Sequence, residues 1–241
     1  MSLCWCNPCC IHWIRHWLND VKNLRLDTEL HLEPTPSGAF FAISSNRDEP
    51  ARRLLQGIMS EGVLPVCDTE RLSLWSGLDQ EEALELLHRL QELGWLSGLK
   101  ESQAAPEGPL ENILPGLLAK VSAQGKALLA DNQGFYLAAS GFPHEAAESL
   151  SAVSADLGSL YERHQRLLAN NLGQREQGWA LIDAAGNSQL GFWPLYVGAQ
   201  RFVLVIEGRP CFNQPAFRDL VWILNRRYSS DHLWEDGREN E

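Results

Sequence analysis

"LLADNQGFYLAASGF", residues 128–142, contains two short apolar runs separated by a polar turn. Asp131 begins the turn, Gly134 lies within it, and Gly141 ends the second run. Glycine and small polar residues between two apolar runs are typical of a β-hairpin. The second run also carries small residues, which suit the close approach of a helix. The stretch therefore predicts a hairpin that packs against a helix.

The chain on both sides of this hairpin predicts one continuous pattern over residues 110–228. A helix precedes the hairpin, and a long helix rich in alanine and leucine follows it. Three more strands, "GWALIDAAG", "SQLGFWPLYVG" and "RFVLVIEG", then lead to a final helix. The order α-β-β-α-β-β-β-α predicts an α+β fold in which helices flank a five-stranded antiparallel sheet.

The N-terminal part of the chain predicts a different arrangement. An amphipathic helix is indicated by "IHWIRHWLNDVKNL", and two short strands by "TELHLEP" and "GAFFAIS" around a Pro-Ser-Gly turn. Residues 49–99 then predict a helix, a short helix, a longer helix and a strand. This order resembles that of a winged helix-turn-helix, and it indicates a winged-helix-like domain.

These patterns divide the chain into five segments at changes of composition and element type. They are a Cys- and Trp-rich segment at 1–48, a winged-helix-like domain at 49–99, a Pro- and Gly-rich linker or wing at 100–109, the α+β domain at 110–228 and an acidic polar tail at 229–241.

Residues 110–228, about half of the chain, resemble the roadblock/LC7 family. The resemblance rests on the "ADNQGF" turn, the "LAASGF" strand end, the long Ala/Leu helix and the three strands that end in "VLVIEG". It implies a regulatory scaffold that dimerises through sheet edges and long helices. It also implies protein partners such as Ras-like GTPases and motor or signalling assemblies. The family has no shared catalytic residue set, so the resemblance implies a non-enzymatic protein without a cofactor.

A homodimer interface is also indicated by the residues themselves. The strand "GWALIDA" has neither the proline nor the lysine that usually protects a sheet edge. The helix at 144–172 is longer than the cover of a small sheet requires. Together they predict a two-fold interface, although the same helix could simply cover the sheet of a monomer. The predicted interface residues are Trp179, Ala180, Leu181, Ile182, Leu157, Leu160, Tyr161 and His164.

A cluster of cysteines and histidines near the N-terminus is the strongest candidate for metal binding. Thiolates and imidazoles are zinc ligands, but this spacing does not match a zinc knuckle, and no second cysteine pair follows. Lipid attachment beside the amphipathic helix is one alternative, and a tail without a site is the favoured interpretation. The candidate ligands are Cys4, Cys6, Cys9, Cys10, His12 and His16.

No catalytic pattern appears elsewhere in the chain. It lacks a Gly-x-Ser-x-Gly nucleophile turn, a phosphate-binding loop and a dinucleotide fingerprint. A small-ligand sensor remains an alternative function, with a pocket between the sheet and a helix. The aromatic residues that would line such a pocket are Phe192, Trp193, Tyr196 and Trp222.

The charge of the chain weighs against binding to nucleic acids. The formal net charge is −11, and residues 51–100 carry five Lys and Arg against eight Asp and Glu. Carboxylates at the start of the predicted recognition helix would repel phosphates. A transcriptional regulator that binds DNA and dimerises through the roadblock-like domain is thus kept only as the alternative to a protein-binding scaffold.

Without a secretory signal or a long apolar run, the sequence predicts a cytoplasmic protein.

Overall fold

The computed structural model describes residues 26–173 and 177–229, and it combines helices with a β-sheet as the sequence predicts. The predicted helix at 11–24, the Cys/His cluster and nearly all of the acidic tail lie outside these residues. The N-terminal half has helices and two short strands in the order β1 (His31–Pro34), α1 (Pro36–Ile43), α2 (Pro50–Ser60), α3 (Thr69–Ser76), α4 (Gln80–Glu92) and β2 (Leu96–Leu99).

The C-terminal half contains the predicted antiparallel sheet of five strands. Its elements follow the order α5 (Leu110–Val121), β3 (Ala127–Asp131), β4 (Tyr136–Ser140), α6 (His144–Arg166), β5 (Trp179–Ile182), β6 (Ser188–Val197), β7 (Gln200–Glu207) and α7 (Pro215–Tyr228). The predicted order α-β-β-α-β-β-β-α is therefore confirmed. In space the strands lie in the order β4-β3-β7-β6-β5, so the last strand of the sequence is the central one.

The central strand explains why the sheet needs helices on both faces. β7 is buried without interruption from Phe202 to Ile206, which is typical of a strand covered on both sides. Val203 and Val205 pack towards α6, while Phe202, Leu204 and Ile206 face α5 and α7. β3 and β6 pair with β7 along its two edges. This leaves β4 and β5 as the outer strands.

The hairpin of β3 and β4 forms at the predicted position. The Asp131 carboxylate accepts hydrogen bonds from the backbone N–H groups of Gln133 and Phe135, each at 2.9 Å. Gly134 has a φ of 91° and approaches the backbone of α6. Gly141 has a φ of 71°, and a Cβ atom there would lie 2.8 Å from the Gly125 carbonyl oxygen. Only glycine meets both demands without strain.

The prediction of a strand for "GAFFAIS" is wrong, because this segment forms helix α1. Thr35 caps the helix by accepting a hydrogen bond from the Gly38 N–H, and Pro36 occupies the first turn. Gly38 lets the helix approach the Trp95 backbone, where a Cβ atom would overlap the carbonyl. The local signals of a capping threonine and an N-terminal proline favour helix over the β-propensity of the two phenylalanines.

The strand from "TELHLEP" therefore finds a distant partner. β1 pairs antiparallel with β2, and Pro34 lies opposite Leu96. Helices α2, α3 and α4 followed by β2 reproduce the order predicted for the winged-helix-like domain. Val63 and Ala104 form an isolated antiparallel bridge beside them. The assignment to a winged-helix family stays a prediction, since β2 pairs with a strand that lies before the predicted domain.

Both halves of the chain share one hydrophobic core. Its buried residues form one contact cluster, which includes Leu32 in β1 and Leu224 in α7. The Trp222 indole N–H donates to the Glu61 carbonyl at 2.8 Å, and Arg218 in α7 pairs with Glu33 in β1. Helix α7 thus lies between the sheet and the N-terminal helices.

Phe217 provides a test of this shared core, because its ring lies between the two halves of the chain. Its ring centroid is 6.2 Å from that of Phe40 and 4.8 Å from that of Phe212. Phe217→Ala should lower the free energy of unfolding by about 3–5 kcal/mol, since it leaves a cavity in a fully buried site. Phe135→Ala is the matched control, since that ring is 67% exposed. Denaturant titration followed by tryptophan fluorescence measures both. Equal stabilities of the two variants would contradict the shared core.

The end of the first hairpin gives a second test, at Gly141. Gly141→Ala should lower the free energy of unfolding by more than 2 kcal/mol, roughly the sum of backbone strain and steric overlap. Gly186→Ala is the control, because Gly186 has a similar φ of 85° in another hairpin turn but open space around it. Its cost should be about 1–2 kcal/mol from backbone strain alone. Thermal and denaturant unfolding of both variants would show the difference, and equal costs would argue against the close approach.

Candidate interaction surface

The edge strand β5 presents an open row of backbone groups and apolar side chains. It pairs with β6 on one side, and no described strand pairs with its other side. Leu181 and Ile182 are 63% and 65% exposed, Ala180 is exposed and Trp179 is half-buried. An unprotected apolar edge of this kind is a template for pairing with another strand. These are the four strand residues that the sequence predicts for the interface.

A rigid turn holds β5 in this position. The Asp183 carboxylate accepts hydrogen bonds from the backbone N–H groups of Ala185 and Asn187, each at 2.9 Å, and from the Gln189 amide. Hydrogen bonds from Asn187, and then from Ala185 and Gln189, keep the pKa of Asp183 below its usual range. The turn repeats the geometry around Asp131 in the first hairpin. The edge is therefore preformed.

Helix α6 lies beside this edge and packs on the sheet through small residues. Its buried side chains are Ala147, Ser151 and Ser154, one or two turns apart. Both serine hydroxyls donate to the carbonyl four residues earlier, at 2.8 and 2.7 Å, so their burial leaves no unsatisfied hydroxyl. Small side chains let the helix approach the valines of β7 closely. This explains why the alanine-rich composition marks a packing face.

The second half of α6 is less buried than the first half. No described residue from Ala155 to Gly173 is buried, and the helix ends in a wider turn over Leu167–Asn171. The predicted interface residues of the helix lie in this half: Leu157 and Tyr161 are half-buried, and Leu160 and His164 are exposed. We call these four residues and the four residues of β5 the β5–α6 surface.

An ion pair connects the second half of α6 to the central strand of the sheet. Arg201 in β7 pairs with Glu162 in α6, and its guanidinium occupies the space that a side chain at Gly158 would take. Tyr196 in β6 donates to Gln177, immediately before β5. These contacts were not predicted. Gly158 within a long helix is the one sequence signal for them, because an interior glycine often marks a close approach.

The four aromatic residues that the ligand-sensor alternative requires do not line one cavity. Phe192 and Tyr196 face α6, whereas Trp193 lies on the opposite face of the same strand. Trp222 is fully buried in α7. The cavity between α6 and the sheet measures about 20 Å³, which holds no more than a water molecule. Alternation of side chains along a strand separates the residues that the sequence places together.

The buried thiol of Cys67 is a poor candidate for catalysis. Burial, and then Asp27 and Asp68, raise the pKa of the Cys67 thiol to about 11. Cys67 is therefore protonated near neutral pH and is not an activated nucleophile. Within 26–173 and 177–229, no three His, Cys, Asp or Glu residues are grouped to hold a metal ion. The candidate ligands Cys4, Cys6, Cys9, Cys10, His12 and His16 lie outside these ranges.

The predicted recognition helix, α4, begins with exposed acidic residues. The Asp79 carboxylate caps the helix by accepting a hydrogen bond from the Glu82 N–H at 2.9 Å. Glu81 and Glu82 are exposed in its first turn. Their charges suit the positive end of the helix dipole but would repel a phosphate backbone. The charges at this end of α4 therefore weigh against contact with DNA.

No described helix is long and apolar enough to cross a membrane. No sequence profile of a known family matches this chain, and no curated protein matches it in sequence.

Solved roadblock structures resemble about half of the chain. A roadblock/LC7 domain from Streptomyces avermitilis is 13% identical over 50% of this chain and 93% of that chain, with a TM-score of 0.32. Myxococcus xanthus MglB is 16% identical over 48% and 88%, with a TM-score of 0.29. The gliding protein MglB from Thermus thermophilus is 18% identical over 53% and 96%, with a TM-score of 0.33. At values this low, the similarities do not by themselves place the chain in that family.

Proposed function

We propose that this protein is a non-enzymatic cytoplasmic regulator that forms a homodimer and binds a protein partner, a small Ras-like GTPase. The single observation that carries the proposal is the open apolar edge of β5 beside the uncovered half of α6. Both features leave apolar groups in water in the isolated chain, and a second copy would cover them. The class of partner follows from the resemblance of residues 110–228 to the roadblock/LC7 family.

A two-fold axis beside β5 would use both parts of the β5–α6 surface. Two copies of β5 would pair antiparallel, so each edge would satisfy the backbone groups of the other. The strand has only four residues, so strand pairing alone would bury little apolar area. The exposed halves of α6 would then meet across the same axis. Leu160 and the half-buried Leu157 and Tyr161 would add the apolar area that the short strand lacks.

A double substitution in β5 tests the dimer. Leu181→Lys with Ile182→Lys should raise the dimer dissociation constant at least 100-fold, because it replaces two large apolar contacts by charges. Burial of one such side chain is worth about 1.5–3 kcal/mol, and tenfold in affinity corresponds to about 1.4 kcal/mol. Sedimentation velocity over a range of protein concentrations measures the change.

The matched control for this experiment is Leu74→Lys. Leu74 is 78% exposed on α3, so its substitution replaces an exposed apolar side chain by a lysine away from the β5–α6 surface. The control should dimerise like the unaltered protein. A native chain that stays monomeric at micromolar concentration would overturn the dimer, and so would an unchanged dissociation constant in the double variant.

The partner is tested with the complete chain as bait. Affinity purification from cells that express it, in the presence of GDP or a non-hydrolysable GTP analogue, should enrich a Ras-like GTPase. Quantitative mass spectrometry would compare the unaltered chain with the dimer-deficient variant. Enrichment that depends on the bound nucleotide supports a regulatory contact. Failure to retain any GTPase with either nucleotide would overturn the assignment of the partner.

The alternative function as a DNA-binding regulator makes a different prediction. If α4 binds DNA, the protein should slow the migration of labelled genomic fragments at low salt. This effect should disappear as the salt concentration rises. Because Glu81 and Glu82 are exposed at the start of α4, we expect no retardation at about 50 mM salt, where phosphate contacts are strong. An electrophoretic mobility shift would decide the question, and a sequence-specific shift would favour the alternative.

A further inference from the structure

A second, larger cavity lies between the two halves of the chain. It is a cleft of about 620 Å³ between the loop that joins α1 to α2 and the segment where α6 leads into β5. Cavities of about 300–1,000 Å³ are the usual size of small-molecule sites. The residues on which the argument depends are Arg47, Arg52, Gln165, Gln177, Trp179 and Trp193.

Hydrogen bonds to the neighbouring helices hold the loop that forms one wall of this cleft. Arg53 binds both carboxylate oxygens of Asp48, at 2.8 and 2.9 Å, and donates to the Ser76 carbonyl at 2.6 Å. Gln56 donates to the Ala42 carbonyl at 2.8 Å. These bonds connect the loop to α2 and α3. The wall is therefore preformed and would need little ordering when a ligand binds.

The charges in the cleft favour an anion. Arg47 is exposed at its mouth, and no described residue forms an ion pair with it. The Arg52 side chain is 6% exposed and lies 3.7 Å from the Glu49 carboxylate. Two arginines and one glutamate are the charged residues among those described that line the cleft. The local charge is thus positive in a chain whose net charge is −11.

Arg52 places a buried positive charge beside the cleft. It donates to the Phe41 carbonyl and lies over the Phe41 ring, and no described residue accepts a hydrogen bond from its buried Nε. Burial lowers the pKa of Arg52, and Glu49 offsets this effect only in part. A second anion near the guanidinium would stabilise its charged form. Buried guanidinium groups usually have such partners.

The opposite wall of the cleft is aromatic and carries amides. Trp193 is half-buried there and is held edge-on by Phe212 at 5.3 Å between ring centroids, whereas Trp179 is the cross-strand partner of Phe192 and lies on the α6 side of the sheet. Gln165 and Gln177 provide amide groups at the same wall. Flat indole surfaces bind planar rings by stacking. The two walls therefore differ in chemistry, one cationic and the other aromatic.

We propose that this cleft binds a small molecule that joins an anionic group to a planar aromatic ring. The anionic group would lie against Arg47 and Arg52, and the ring would pack on Trp193. Aromatic carboxylates and nucleoside monophosphates share this chemistry. The site is formed within one chain and needs no GTPase partner, although Tyr161, Trp179 and Ala180 of the β5–α6 surface also line the cleft.

Isothermal titration calorimetry with defined probes tests the site in the complete chain. The probes are 1-naphthoate and adenosine monophosphate, with 1-naphthylmethylammonium as a cation of similar shape. At least one anionic probe should bind with a dissociation constant below about 1 mM, the range that a few polar contacts and a stacked ring provide. Binding of naphthoate alone identifies an aromatic carboxylate, and binding of adenosine monophosphate identifies a nucleotide.

Arg47→Gln is the decisive variant, because the exposed side chain can be replaced without disturbing the fold. It should weaken binding of the anionic probe at least tenfold. Arg71→Gln is the control, since Arg71 is exposed on α3 and does not line the cleft. The proposal is overturned if neither anionic probe binds, if Arg47→Gln has no effect, or if the cationic probe binds equally well.

The monomeric double variant in β5 separates this proposal from the dimer. We expect the same probe affinity in that variant and in the unaltered protein, because the cleft is formed within one chain. If the probe binds the monomer but not the dimer, the partner subunit fills the cleft, and the ligand site is overturned for the assembled protein. Probe binding by an unaltered protein that stays monomeric would overturn only the proposed function.

Discussion

Burial of helix α7 is the interaction on which the rest of the structure depends. Eight of its residues, from Ala216 to Asn225, are buried around nearly the whole circumference of the helix. One side of α7 packs on the sheet and α5, and another side packs on α1 and α2. The helix therefore holds the N-terminal half against one face of the sheet. Without it, neither the sheet nor the N-terminal helices would have a complete core.

This packing makes the two faces of the sheet unequal. The face beneath α5 and α7 belongs to the large shared core, whereas the other face is covered by α6 through alanine and serine. The first half of α6 packs closely on the smaller face, whereas the second half contacts it only through half-buried residues and the Arg201–Glu162 ion pair. The same imbalance leaves β5 at an edge that no described element covers. The proposed dimer surface is thus a consequence of how the core is divided.

The fold was predictable where the signals are local. The Asp131 turn, Gly134 and the alternating apolar residues of the strands are read directly from neighbouring positions. The segment "GAFFAIS" forms a helix and not the predicted strand, because the cap at Thr35 outweighs the β-propensity of the two phenylalanines. The site was predictable only in part. An edge strand without proline or lysine suggested β5, but nothing near Arg47 in the sequence indicates that it lines one cleft with Trp193.

The sequence by itself determined the elements, their order and the apolar character of β5, because hydrophobic periodicity and turn chemistry act over a few residues. Tertiary structure decided which residues meet. It separated Phe192 and Trp193 onto opposite faces of one strand, placed β1 against β2, and brought the loop at 44–49 to the start of β5. The last two arrangements join segments that are far apart in the chain. They depend on the packing around α7, which no short stretch of sequence encodes.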